Sequence, residues 1–198
     1  MITFNVFGTL IALKVGDKRG VFRRIQEELK TKYENMFSMN FIEDFVTIRM
    51  GAEELARTNY LTDEKQEISL EEIYETMRLS YKFSRDMEKI LIGLEETILI
   101  DSACLINKNF DIFQRISNQG EKIVLICETY YSDRVFEIIF EKVCPELLKY
   151  EYISSYKKKK NKISAALYQI ISYEKKESFD TWVYYGTSDK KDAVIPQN

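Results

Sequence analysis

The chain opens on a short apolar, β-favouring run, Ile2 to Phe7, that stops at Gly8-Thr9, the pattern of a buried strand entering a turn. The apolar period then lengthens. Val21, Phe22, Ile25, Leu29 and Tyr33 recur at helical spacing, as do Phe41, Phe45, Ile48, Ala52, Leu55 and Ala56, which predicts two amphipathic helices. Ser69, followed by Glu71 and Glu72, reads as an N-cap with an acidic first turn, and Ile73, Tyr74, Met77 and Tyr81 share a face behind it. Met87, Ile90, Leu91, Leu94 and Ile98 predict a fourth helix; Phe110, Phe113 and Ile116 predict a fifth that stops at Gly120. Residues 15–105 therefore read as almost wholly helical.

Beyond Lys122 the texture alternates. Ile123–Cys127, Tyr150–Ile153 and Thr181–Tyr185 are strand-like, while Arg134–Val143 and Ile163–Ser172 are helical. A βαβαβ series implies right-handed crossovers and a parallel sheet with helices on both faces. The first strand would join that sheet, giving an α/β core at 1–14 and 106–198 with a helical insertion at 15–105. In such sheets ligands bind beyond the carboxyl ends of the strands. That directs attention to Asn5–Thr9, Cys127–Tyr130, Ser154–Lys162 and Gly186–Asp192.

Composition narrows the chemistry. The 198 residues are 45% hydrophobic with only 2 Pro and 7 Gly, enough apolar surface for one core and no linker between independent domains. There is no histidine, which excludes a Ser-His-Asp triad, a Cys-His dyad and histidine-ligated zinc. The three cysteines, Cys104, Cys127 and Cys144, form no CxxC pair and read as free thiols. With 29 basic against 32 acidic residues, no overall field favours nucleic acid. Lys157–Lys160 with Lys162 is the local exception, readable as a solvated loop or as a polyanion contact. The first residues lack the basic and apolar segments of a secretory signal, and no apolar run approaches the roughly 20 residues of a membrane span, so a cytoplasmic location is expected.

Phe4-Asn5-Val6-Phe7-Gly8-Thr9-Leu10 resembles the first motif of the haloacid dehalogenase (HAD) superfamily, in which a strand ends on an aspartate and a Gly-Thr-Leu or Asp-Thr-Leu follows. Asn5 stands at the aspartate position. Leu125-Ile126-Cys127-Glu128-Thr129-Tyr130 resembles the second motif, with Cys127 where a Ser or Thr binds the phosphoryl group. Ser154-Ser155 and the lysine cluster resemble the third, with Lys162 its preferred lysine; Gly186-Thr187-Ser188 to Asp192-Ala193 resembles the fourth, with Thr187 replacing the first acid. Arg49 to Arg57 and Ile68 to Tyr74 are similar to the helical cap of a branch found with bacterial surface-polysaccharide genes. The resemblance implies a Rossmann-like, three-layer sandwich with a parallel sheet and an inserted helical cap.

In an active member of this superfamily the aspartate is the nucleophile and Mg²⁺ offsets phosphoryl charge. Asn5 is neutral, a poor nucleophile and a weak ligand for a hard cation. Thr187 removes a second metal carboxylate, leaving Asp192 as a weak residual ligand and Asp189 as a further candidate. Cys127 donates more weakly than a hydroxyl. The degenerate site at Asn5, Thr9, Cys127 and Lys162 thus predicts a catalytically inactive pseudo-phosphatase that binds a small phosphorylated ligand or a protein partner. No cofactor is expected, and Mg²⁺ only if the site is active. The alternative is a phosphatase with a rearranged site that uses Asp189 or Glu128 as its acid. Arg49, Glu53 and Arg57 read either as part of the cap resemblance or as helix-surface pairs worth a few tenths of a kcal/mol. Asn5 itself could serve only to bond the turn at Gly8-Thr9.

Overall fold

The computed structural model describes residues 1–187. Its chain order is β1 (Ile2–Asn5), β2 (Ile11–Leu13), α1 (Lys18–Lys32), α2 (Met39–Glu43), α3 (Phe45–Tyr60), α4 (Leu70–Tyr81), α5 (Arg85–Ser102), β3 (Ala103–Leu105), α6 (Asn107–Ser117), β4 (Ile123–Cys127), α7 (Asp133–Val143), β5 (Glu151–Ser154), α8 (Ser155–Lys158), α9 (Ala166–Lys175) and β6 (Val183–Tyr185). The chain divides into two compact units. Met1–Ala12, Glu64–Glu67 and the chain from Cys104 onward form the first; Leu13–Asp63 and Ile68–Ala103 form the second.

Among the described residues, the first unit is built on a four-stranded sheet of order β5-β4-β1-β6, every pair parallel. The register Phe4↔Leu125↔Tyr152 puts three side chains on one face. Phe4 meets Phe113 of α6 there, and Tyr152 meets Phe136 and Phe140 of α7. On the other face Val124, Ile126 and Ile153 pack with Leu167 and Ile171 of α9. β4 is buried along its whole length because helices cover it on both sides. The result is a helix–sheet–helix sandwich, the α/β architecture read from the sequence. Because the strands run parallel, the carboxyl ends of β1, β4 and β6, namely Asn5, Cys127 and Tyr185, fall at one end of the sheet.

The second unit is a ring of helices in which α1 packs on α3 and α5, and α4 packs on α3 and α5. Ser69 closes a full capping box with Glu72, which fixes the start of α4. Gly20 is dictated by close packing: a methyl there would fall 2.0 Å from the Val15 carbonyl oxygen, and backbone cannot yield as a side chain can.

Three expectations need correction. The continuous apolar period from Phe41 to Ala56 hides a break at Asp44, which caps the end of α2 at Glu43 and the start of α3 at Phe45. Residues 15–105 are not helical to their end, since β3 begins at Ala103 and pairs with β2. The helix expected from Ile163 begins only at Ala166, with Ala165 left-handed (φ 61°) and Ile163 60% exposed, so Lys162 lies in the preceding loop. Among the described residues no helix is long and apolar enough to cross a membrane.

Candidate active-site cleft

Asn5 closes β1, where Val6 N–H still donates to the Ile126 carbonyl (2.9 Å) before the chain turns. Gly8 makes that turn with φ +80°, a conformation side chains resist, and its N–H donates to the Ile11 carbonyl at 2.8 Å. A methyl on Gly8 would meet Thr187 Oγ1 at 3.1 Å, so the first and fourth motif-like segments abut.

Lys162 is 2% exposed. Its Nζ donates to Asn5 Oδ1 at 3.1 Å and to the Tyr184 hydroxyl, with the Tyr184 ring centroid 5.0 Å away. Asn5 Nδ2 donates to the Phe7 carbonyl at 2.8 Å. These two bonds fix the amide orientation, since an ammonium needs an acceptor and a carbonyl needs a donor. Asn5 therefore does bond its own turn, and it also receives the buried lysine. The Lys162 backbone N–H donates to Glu128 Oε1 at 3.0 Å, joining the second and third motif-like segments.

Burial pushes the Cys127 thiol up to about 12, with the Lys162 charge and a backbone hydrogen bond from Phe7 only partly opposing it. At neutral pH it is a buried neutral thiol, a weak donor and an unactivated nucleophile. Tyr152, on the next strand, is driven well above its ordinary value, first by burial and then by the Cys127 and Asp133 charges. Thr9 is buried, its Oγ1 without a hydrogen-bond partner among the described residues, and its carbonyl accepts from Asn109 Nδ2 at 2.8 Å. It borders a cavity of about 210 Å³ with Phe4, Tyr184 and Tyr185. Asp189 and Asp192 lie outside the described residues.

The geometry thus brings Asn5 to Lys162, Lys162 to Glu128, and Thr187 to Gly8, with Cys127 at the end of the strand beside Asn5. Two contributors were not foreseen. Tyr184 bonds Lys162 directly; its place in a strand-end tyrosine pair was visible, but its partner was not. Glu67 carried no signal, yet it is 2% exposed and accepts from Ser155 Oγ at 3.0 Å. The same hydroxyl accepts from Thr129 N–H at 2.7 Å. The lysine run is also used locally. Lys158 pairs with Glu174, Lys157 lies 3.8 Å from Asp133, and Lys159 sits over the Tyr156 ring at 4.2 Å.

Mg²⁺ requires hard oxygen ligands, preferably carboxylates. Asn5 has one oxygen, already turned to an ammonium, and presents its N–H₂ to the Phe7 carbonyl. Among the described residues no group of three His, Cys, Asp or Glu could hold a metal. Among the described residues, then, the cleft donors do not by themselves make up a magnesium site, and the two candidate ligands Asp189 and Asp192 lie outside those residues.

No family model matches the sequence, and no curated protein is significantly similar to it. Solved structures are. A 2-haloacid dehalogenase from Pseudomonas syringae pv. Tomato DC3000 superposes with a TM-score of 0.64 at 11% identity, over 99% of this chain and 81% of that one. A HAD-family enzyme from Bacteroides thetaiotaomicron gives 0.63 at 13% identity, over 99% of this chain and 87% of that one. The wild-type form of the latter, in complex with magnesium and inorganic phosphate, gives 0.59 at 11%. The chain therefore has the α/β fold of the HAD hydrolases.

Proposed function

We propose that this is a HAD-like domain that has lost phosphoryl transfer and binds a small phosphorylated ligand, or a protein partner presenting one, at the carboxyl end of its sheet. The observation that carries the proposal is the Asn5–Lys162 pair. The nucleophile position holds an amide whose oxygen accepts from a buried ammonium and whose nitrogen is committed to the Phe7 carbonyl. A lysine held there attracts an anion, while the amide cannot attack it. Cys127 and Thr187 remove a hydroxyl and an acid from two further segments, and the three losses act on one reaction. Residues 15–105 are read as the cap of the fold. The sequence similarity of that insertion suggests a role in surface-polysaccharide biosynthesis.

The test is calorimetric titration with inorganic phosphate, without divalent cation. Binding by the unmodified protein, lost in Lys162→Met, is the expected result; no binding by the unmodified protein overturns the reading. Asn5→Asp alone should restore no turnover, because one well-placed electrostatic group contributes on the order of 10²–10³ in rate and groups acting together do not recover singly. The triple variant Asn5→Asp, Cys127→Ser, Thr187→Asp is the fair test of restoration. Turnover by Asn5→Asp alone would favour a rearranged or trapped hydrolase instead.

A further inference from the structure

The loop from Ser155 to Ala165 carries the lysine run and Lys162, and little of it is regular: α8 stops at Lys158, and Lys159 and Ala165 both have positive φ. Buried backbone must find partners somewhere. It finds several in a segment distant in sequence, Glu64–Glu67, which packs with the first unit although it lies between α3 and α4. Gln66 is bracketed on both sides of its backbone. Its N–H donates to the Lys159 carbonyl at 2.8 Å, and its carbonyl accepts from Asn161 Nδ2 at 3.1 Å. Its side-chain Oε1 accepts from Ser164 Oγ at 2.5 Å. Glu67 accepts from Ser155 at the start of the loop.

These bonds reach positions 155, 159, 161 and 164, so they span Lys162 from both sides. Asn161 links the strap to the loop's own turn, because its Oδ1 accepts from Ser164 N–H at 2.9 Å while its Nδ2 holds Gln66. We infer that Glu64–Glu67 is a latch that holds the Lys162 loop closed, and that releasing it exposes the lysine run and frees Lys162 from Asn5. Gln66 and Glu67 are positioning residues: they act on the cleft through the loop. The latch does not depend on phosphate binding. Only its consequence for anion affinity rests on the proposed function.

The lysine run supplies the assay. Lysyl endopeptidase cuts only where backbone can open, and Lys82, exposed in the turn after α4, serves as an internal reference against global unfolding. In Gln66→Pro, which lacks the N–H donated to Lys159, the ratio of cleavage at 157–162 to cleavage at Lys82 should rise about tenfold, the change in opening expected from one lost backbone hydrogen bond. The gentler Gln66→Ala/Glu67→Ala pair, which removes two side-chain contacts, should raise it by roughly threefold to tenfold. An unchanged ratio in both variants overturns the latch. So does hydrogen exchange at the Gln66 amide of the unmodified protein as fast as at an unbonded amide, a measurement that needs no variant. A raised ratio in a protein that binds no phosphate supports the latch while refuting the ligand reading.

Discussion

Two buried polar clusters, one in each unit, solve the same physical problem in opposite ways. In the second unit Arg49 and Glu95 are fully buried. They pair through two parallel bonds of 2.7 and 2.8 Å, Tyr74 donates to Glu95 at 2.7 Å, and the Arg49 guanidinium lies 4.6 Å from the Phe22 ring centroid. Glu53 extends the network to Lys18 and Arg57. In the first unit the buried Lys162 donates from Nζ to the Asn5 amide and the Tyr184 phenol, and from its backbone N–H to the Glu128 carboxylate. The helix-ring cluster matches charge with charge and aims its polarity inward. The cleft cluster orients an ammonium with an amide oxygen and a phenol at the carboxyl end of the sheet. A matched buried pair is the signature of a structural network, whereas an ammonium held beyond the carboxyl ends of parallel strands suits a site that receives an anion.

The largest expected difference comes from removing one partner of each cluster. Glu95→Ala leaves Arg49 buried without its bidentate carboxylate and should cost about 3–5 kcal/mol in denaturant unfolding. Lys162→Met should cost less, about 1–2 kcal/mol, because it strands no charge on Asn5 or Tyr184. A Lys162→Met cost equal to that of Glu95→Ala would erase the distinction between the clusters.

Titration sharpens it further. Burial alone would raise Glu53, but the charges of Arg49, Lys18 and Arg57 and the Lys18 hydrogen bond together hold its carboxyl below the usual range. A carboxyl depressed in the folded state contributes stability above the ordinary glutamate value of about 4.3, and that contribution is lost as pH falls through the lower folded value. Glu53→Gln should therefore flatten the acid limb of the stability profile. The cleft predicts the opposite limb. Cys127 is held at about 12, against about 8.5 for an unfolded thiol, so stability falls as pH rises past the unfolded value. The loss should reach about 1.4 kcal/mol by a pH of about 9.5 and vanish in Cys127→Ser. An alkaline limb unaltered in that variant would mean that Cys127 is not buried as described.

How much of this was legible in the sequence follows from the range of the interactions. The sheet and its helices were legible because periodicity is local: the alternation after Lys122 and the capping signal at Ser69 are written in neighbouring residues. The Asp44 break was not, because Phe41 and Phe45 keep the same period across two helices. Arg49, Glu53 and Arg57 were read in part as helix-surface pairs, with Glu53 at i,i+4 spacing from each arginine. Those contacts exist at 3.5 and 3.4 Å, but Arg49 is fully buried by a partner 46 positions away that no local pattern could supply. Asn5, Cys127 and Lys162 were singled out by motif resemblance, whereas the bond from Lys162 to Tyr184 and the burial of Glu67 were not legible, because neither residue's partner is set by local spacing. The strands β2 and β3 escaped notice because three residues are too few to establish a period.

The central claim is that the cleft holds an anion and does no phosphoryl transfer, and its most direct test is turnover by the unmodified protein. A panel of sugar phosphates and nucleotides, assayed for phosphate release with Mg²⁺ against a heat-killed control, should give no rate above background, because Asn5 presents an amide where the reaction needs a carboxylate. Measurable magnesium-dependent release that is abolished by Lys162→Met would contradict the account and establish this cleft as a working hydrolase site.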